Sequence, residues 1–224
     1  MFNYPQDISK GLVIYGAPST GKSTLELNLR RHYFTTPLTD EPFQFDGTRC
    51  FLGKTAKKTG DIMATGGAEA LLELPQLPEA EWFVAALPSS GRPGTKVVTE
   101  FLQTLPWLCG ICLYSEDRGP YHKKRTNFFS GRDPKHVYKA SRPVDPPFVP
   151  RENCLTFTTE DLSDALLVGK VLLDGLGMLD SSVQVEVSPF MTLEEMGTDP
   201  AFIERFHLNK ERRDEIAENE ASSH

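Results

Sequence analysis

The feature that most constrains this chain is a glycine-rich segment near its start, Gly16-Ala-Pro-Ser-Thr-Gly21-Lys22-Ser23. A short apolar run over Gly11 to Tyr15 precedes the segment, and Thr24 to Tyr33 continues it with leucines among helix-forming residues. A G-x-x-x-x-G-K-[ST] segment between a strand and a helix directs backbone N–H groups and the positive helix end toward phosphate groups. The sequence therefore predicts a loop that binds a nucleoside triphosphate. The alternative is a glycine turn that arose by chance.

The side chains of this loop have separate expected roles. We expect Lys22 to reach the β- and γ-phosphates and to act in catalysis, and the Ser23 hydroxyl to ligate Mg²⁺. The residues expected to bind the nucleotide are Gly16, Ala17, Pro18, Ser19, Thr20, Gly21, Lys22, Ser23 and Thr24.

The rest of the chain alternates apolar runs with helical patterns. This alternation predicts an α/β fold of three layers, in which a parallel sheet carries helices on both faces. We expect one domain over residues 1–179 and a C-terminal appendage over 180–224, made of an exposed strand and a charged helix. The predicted strands after the loop are 42–51, 82–87, 107–114 and 154–158, and the predicted helices are 67–77, 95–104 and 160–176.

Charge is distributed unevenly along the chain. The net charge is −7, yet residues 118–151 contain nine basic and two acidic residues and so carry +7, which leaves −14 elsewhere. Such a segment is typical of a lid that closes over a triphosphate, with Arg125, Arg132 and Arg142 as the candidate contacts. A solvated surface loop is the alternative. Phe128 and Phe129 among these cations favour a nucleotide or nucleic acid as the acceptor, because aromatic side chains stack on bases.

Composition limits the location and the cysteine chemistry. A hydrophobic content of 39% over 224 residues supports a core, and the absence of a long apolar run or a leader-like start predicts a cytoplasmic protein without a membrane partner. Four cysteines are too few to stabilise a chain of this size by disulfide bonds, which indicates a reducing compartment. Cys109 and Cys112 are interpreted as packed thiols, because residues three apart on a strand point to opposite faces and do not readily share a metal.

The strand over 82–87 lacks an acidic residue at its end. It is followed by Pro88-Ser-Ser, whereas motor ATPases and GTPases usually place a magnesium-binding Asp there. Glu116 and Asp117, after the 107–114 strand, are a poorly placed substitute, which favours a kinase over a hydrolase. Asp46 is the preferred candidate for the base that accepts the acceptor's proton and for a second metal ligand, with Arg49 as an anion clamp. A surface turn is the alternative, because Asp-Gly is ordinary turn chemistry.

At this point the chain resembles the adenylylsulfate kinase and polynucleotide kinase branch of P-loop kinases. Asp46-Gly-Thr-Arg49 is similar to that family's Asp-x-x-Arg motif, and Phe83 to Arg92 is similar to its third strand and arginine-containing loop. Arg132 to Arg142 is similar to its lid segment, and Pro147 to Pro150 to the stretch that follows. The resemblance spans about residues 11–176.

The resemblance implies a kinase with a P-loop NTPase sandwich, a basic lid at about 118–151, and ATP and Mg²⁺ as cofactors. It implies transfer of the γ-phosphate to a hydroxyl of a nucleotide or nucleic acid, including a hydroxyl on a modified base in DNA, with Arg49, Arg92 and Arg142 at the acceptor. The alternatives are an ATPase motor of nucleic-acid packaging or translocation, and a nucleotide-dependent binding protein without turnover. A homo-oligomer is left open by the sequence.

Overall fold

The computed structural model describes residues 8–17, 20–35, 43–52, 80–88, 93–114 and 145–175. The described part of the chain contains six strands, three α-helices and one 3₁₀ turn. In chain order they are β1 Lys10–Gly16, α1 Lys22–Tyr33, β2 Phe43–Phe45, β3 Arg49–Leu52, β4 Trp82–Pro88, α2 Pro93–Leu102, β5 Trp107–Tyr114, the turn Arg151–Asn153, β6 Cys154–Thr158 and α3 Leu162–Leu173.

The strands form one mainly parallel sheet, which confirms the predicted α/β class. Their order is β2-β3-β4-β1-β5-β6, so the strand that precedes the glycine-rich loop lies near the centre. It pairs in parallel with β4 on one side and with β5 on the other. Because both faces of these strands are covered, their residues are apolar almost without interruption, as the sequence pattern predicts.

Two separate cores lie on the two faces of the sheet. Val13 and Tyr15 of β1 belong to the core that includes Phe101 of α2. Leu12 and Ile14, which alternate with them, belong to the core shared with α1 and α3. Helices on both faces give the described residues the three predicted layers.

The prediction of one strand over 42–51 is wrong. Residues 43–45 and 49–52 are the two arms of an antiparallel hairpin. The turn between them contains Gly47 at φ 89°, a left-handed conformation that favours glycine. Asp46 stabilises this turn, since its Oδ1 accepts hydrogen bonds from the N–H groups of Thr48 at 2.9 Å and Arg49 at 2.7 Å. The structure therefore contains the turn at Asp46-Gly47 that the sequence analysis gave as the alternative.

A buried arginine of α1 forms hydrogen bonds to this hairpin. The side chain of Arg30 is 0% exposed and forms an ion pair with Glu26 at 2.7 Å. Its guanidinium also donates to the side chain of Gln44 at 2.8 Å and to the backbone carbonyl of Leu52. One cation thus satisfies acceptors on both arms of the hairpin and on the helix beneath it.

Several predicted elements lie outside the described residues. They include the helix at 67–77, the basic segment up to residue 144, and the appendage at 180–224. Within the described ranges, no helix combines the length and the apolar character needed to cross a membrane.

Candidate functional site

The glycine-rich loop begins and ends on backbone conformations that suit glycine. Gly16 closes β1 with φ 152°, and Gly21 precedes α1 with φ 99°. A Cβ at position 16 would lie 2.3 Å from the carbonyl oxygen of Leu113, and a Cβ at position 21 would lie 2.8 Å from a methyl carbon of Leu162. The absence of a side chain at these two positions therefore lets the ends of the loop pack closely against β5 and α3.

We expect Gly16→Ala to destabilise the fold by about 2 to 3 kcal/mol, because it combines a strained φ with a clash against backbone that cannot move aside. Urea unfolding followed by circular dichroism measures the change. Gly47→Ala is the matched control, since it also has a positive φ but no atom lies within 4 Å of the added methyl. Equal losses in the two variants would contradict the role assigned to close packing at position 16.

Two described side chains of the loop donate to the same backbone oxygen. The Lys22 ammonium donates to the carbonyl of Ala17 at 2.6 Å, and the Thr20 hydroxyl donates to the same oxygen at 2.9 Å. Lys22 is thereby held over the loop and close to its backbone. This is the position from which a lysine can interact with bound phosphate groups.

The amino end of α1 also suits an anion. Gly21 precedes the helix without a side-chain cap, and the first turn contains no acidic residue. The first N–H groups of a helix have no intrahelical acceptor, and the helix dipole is positive at this end. Ser23, in this first turn, is half-buried.

Three strand ends meet at the edge of the sheet that carries this loop, which we call the carboxyl edge. Gly16 is aligned with Pro88 at the end of β4 and with Leu113 near the end of β5. In open parallel sheets, ligands bind outside the carboxyl ends of the strands, at the position where successive connections diverge to opposite faces. Here α1 covers one face and α2 the other. The loop thus occupies the usual binding position of such a fold.

The connection from β6 to α3 lies at the same edge and was not singled out by the sequence analysis. The Thr159 hydroxyl donates to the carbonyl of Tyr114 at 3.1 Å. Asp161 accepts a hydrogen bond from the Thr158 hydroxyl at 2.6 Å, and the next residue, Leu162, packs against Gly21. A cluster of Thr and Asp between a predicted strand and a predicted helix was a usable signal, because such connections in α/β folds lie at the carboxyl edge.

Asp46 and Arg49 lie at the opposite edge, which we call the amino edge. Arg49 and Lys10 are both aligned with Trp82, the first residue of β4. Gly16 is six positions farther along β1, a separation of roughly 20 Å at about 3.3 Å per residue. The expectation that Asp46 and Arg49 stand beside the phosphate loop is therefore wrong. The reason is that Asp46 lies in a hairpin turn before a parallel strand, and not at the end of one.

At the amino edge, Arg49 is held by several partners of its own. Its guanidinium pairs with Asp46 and with Asp174, each at 2.8 Å, and donates to the carbonyl of Leu173 at 3.1 Å. Its cationic carbon lies 4.0 Å from the ring centre of Tyr33, whose hydroxyl donates to Asp174 at 3.0 Å. These contacts join the hairpin turn to the carboxyl-terminal ends of α1 and α3. They assign Arg49 a structural function.

The Asp46 carboxylate should therefore contribute to stability. Burial alone would raise its pKa, but the N–H groups of Thr48 and Arg49 and the Arg49 guanidinium hold the pKa below its ordinary value of 3.8. A lowered pKa stabilises the fold above the unfolded value, and this stabilisation is lost as the pH falls through the folded value.

We expect Asp46→Asn to lower the free energy of unfolding by roughly 1 kcal/mol at neutral pH and to leave nucleotide binding unchanged. Denaturant unfolding over a descending pH series measures the effect. The difference from the wild-type protein should shrink once the pH falls below the ordinary value of 3.8 and vanish below the lower pKa of the folded state. A difference that persists at the lowest pH, or a loss of nucleotide binding, would contradict the structural role.

The remaining predicted site residues cannot be placed. Pro18, Ser19, Arg92, Glu116, Asp117, Arg125, Arg132 and Arg142 lie outside the described residues. The chain enters the segment with Glu116 and Asp117 from Tyr114, at the carboxyl edge, and enters the segment with Arg92 from Pro88, at the same edge.

The thiols of Cys109 and Cys112 point to opposite faces of β5, as predicted. Cys109 is packed in the core beneath α1 and α3, where its Sγ lies 3.6 Å from the carbonyl of Gly11. Burial raises the pKa of Cys109 to about 12, which keeps it a thiol at neutral pH. Cys112 instead lies close to Cys154 and Asp145. The two cysteines therefore have different surroundings.

The sequence matches no protein-family model and no curated protein.

Proposed function

We propose that this protein is a Mg²⁺- and ATP-dependent kinase with the P-loop NTPase fold, which transfers the γ-phosphate to a hydroxyl of a nucleotide or nucleic acid. The observation that carries the proposal is the loop of Gly16 to Ser23 at the carboxyl edge, with Lys22 bonded to Ala17 and an uncapped helix start behind it. The order of elements and the three layers of the described residues are compatible with this fold.

Each cofactor has a chemical counterpart in the loop. The Lys22 ammonium and the first turn of α1 offer positive potential to the triphosphate, and Mg²⁺ would be held by the Ser23 hydroxyl together with phosphate oxygens. When bound, Mg²⁺ neutralises charge that develops on the transferring group. ATP is preferred to GTP by the family resemblance.

The acceptor's proton needs a carboxylate other than Asp46, since Asp46 lies at the amino edge. Glu116 and Asp117 follow the end of β5, which is aligned with Gly16, and they replace Asp46 as our candidates for the base. The arginines of the basic segment, Arg125, Arg132 and Arg142, are retained as proposed lid contacts, and Arg92 as a proposed acceptor contact.

The transfer of labelled phosphate tests the proposal. The full chain is incubated with Mg²⁺ and γ-labelled ATP, and with a nucleoside, a nucleotide or DNA as acceptor. We expect label in the acceptor and none without Mg²⁺. Release of free phosphate without a labelled acceptor would contradict kinase activity.

An ATPase motor acting on nucleic acid is the second candidate. It is favoured by the same alignment of β5 with the loop, because Glu116 or Asp117 would then activate water instead of an acceptor hydroxyl. Stimulation of free phosphate release by DNA or RNA, with no labelled acceptor, is the outcome expected of this candidate alone.

A further inference from the structure

A group of side chains that could ligate a metal lies on the face of the sheet covered by α2, one strand from β1, where Cys112 is aligned with Tyr15, the residue before Gly16. It consists of the thiols of Cys112 and Cys154 and the carboxylate of Asp145, whose ligand atoms all lie within 4.8 Å of one another. The three residues are far apart in sequence but meet where β5 pairs with β6. From this geometry we propose that Cys112, Cys154 and Asp145 bind a thiophilic divalent cation of the Zn²⁺ class.

The backbone brings the two sulfur atoms together in a specific way. Cys154 opens β6 and is aligned with Gly110, two residues before Cys112 on the same face of β5. A Cβ at position 110 would lie 3.2 Å from the Cys154 Sγ. The missing side chain at Gly110 therefore leaves the space into which the Cys154 thiol extends toward Cys112.

The third ligand comes from the segment that leads into β6. Asp145 precedes Pro146 and Val149, both of which pack close to Gly110. Its side chain is 39% exposed, and its one described ion pair is a 3.8 Å contact with Arg151, itself 92% exposed. A contact of that length between solvated groups is weak. The carboxylate also accepts a hydrogen bond from the Cys112 thiol, so it already lies close enough to that sulfur atom to coordinate a cation together with it.

The distances and the donor types agree with zinc coordination. Zinc lies about 2.3 Å from thiolate sulfur and about 2.0 to 2.2 Å from carboxylate oxygen, so tetrahedral ligand atoms are about 3.5 to 3.8 Å apart. Side-chain adjustments of about 1 Å bring the three groups to that spacing. Two sulfur donors select a softer cation than Mg²⁺, which prefers oxygen. Water can fill the fourth position.

This proposal does not rest on the proposed kinase activity. A cation bound there would connect β5, β6 and the 145–150 segment, so its first effect should be on stability. Cys109, on the opposite face of the same strand, is not part of it.

Titration of the reduced, tag-free, full-length protein with Zn²⁺ tests the proposal, and Co²⁺ serves as a spectroscopic probe for sulfur ligands. We expect one Zn²⁺ per chain, sulfur-to-cobalt charge-transfer absorption, and a rise in melting temperature on adding Zn²⁺. Cys112→Ser and Cys154→Ser should each weaken Zn²⁺ binding at least about 100-fold. Loss of a residue that only hydrogen-bonds to a metal ligand weakens metal binding by about 100-fold at most. Asp145→Asn should weaken it at least about tenfold.

Cys109→Ser is the matched control and should keep the affinity of the wild-type protein, with Cys50→Ser as a second buried control. Circular dichroism establishes that each variant is folded. Cys154 and Asp145 are only partly buried, so their variants keep the test valid if Cys112→Ser does not fold. The proposal is overturned if the reduced protein binds no stoichiometric Zn²⁺, or if Cys154→Ser binds it as the wild type does. Formation of a Cys112–Cys154 disulfide on mild oxidation, without Zn²⁺ binding by the reduced protein, would also overturn it.

Discussion

Replacing Lys22 by Ala should reduce the proposed phosphoryl transfer from ATP by about 10²- to 10³-fold, the usual effect of removing one donor that stabilises charge in a transition state. Lys22 is the one described cation shown to bond to the backbone of the phosphate loop, at 2.6 Å from the Ala17 carbonyl. Without it, charge that develops on the transferring phosphoryl group loses a fixed positive partner. The labelled-phosphate assay measures the loss as kcat/KM.

Lys10→Ala is the matched control for this experiment. Lys10 lies on β1, the strand that precedes the loop, but at the amino edge, where its ammonium is 2.5 Å from the carboxylate of Glu81. Its removal should leave kcat/KM within a factor of about two, since an exposed pair of this kind contributes little. Equal activity of the Lys22 and Lys10 variants, with both folded, would rule out the proposed role of the loop in catalysis.

Replacing Arg30 by Met should destabilise the protein by about 3 to 5 kcal/mol, because it removes the buried cation that is paired with the buried Glu26 carboxylate. The two side chains are 0% and 3% exposed, so water cannot replace the lost partner. The Gln44 oxygen and the Leu52 carbonyl lose a donor as well. Chemical denaturation at neutral pH measures the change in free energy of unfolding.

The chain offers an exposed pair of the same spacing as a control. Lys96 and Glu100 on α2 are also four residues apart, but lie 3.7 Å from each other with side chains 79% and 45% exposed. Lys96→Met should cost less than about 0.5 kcal/mol. The double variant Arg30→Met with Glu26→Leu should recover at least about 2 kcal/mol of the single variant's loss, since the buried carboxylate is removed together with its cation. A single Arg30 variant no less stable than the Lys96 variant would contradict the argument.

The elements that sequence reasoning predicted correctly are those whose identity depends on local pattern. Trp107 to Tyr114 is a central strand buried on both faces, so a continuous apolar run was a sufficient signal. The strand at Cys154–Thr158 agrees residue for residue, and the helix predicted at 160–176 is present at Leu162–Leu173. Helix ends differ by a few residues because terminal turns fray and caps are weak signals.

The hairpin at 43–52 shows where local pattern fails. Phe43 and Phe45 alternate as in a strand and Asp46-Gly47 reads as either a strand exit or a turn, so the sequence alone left both interpretations open. The decision depends on distant partners: Arg30 on α1, which bonds to both arms, and Asp174 after α3, which bonds to Arg49. For this reason the prediction from sequence placed Asp46 at the wrong edge of the sheet.

By itself, the sequence determined the α/β class and the glycine-rich loop between a strand and a helix, since both depend on residues that are neighbours in the chain: an apolar strand, two glycines where φ is positive, and Lys22 at the start of a helix. Only the tertiary structure decided that Asp46 and Arg49 lie roughly 20 Å from that loop, and that Cys112, Asp145 and Cys154 meet within 4.8 Å. Strand order and register produce these placements. Strand order and register depend in turn on how helices distant in the chain pack on the two faces of the sheet, and no short stretch of sequence contains that information.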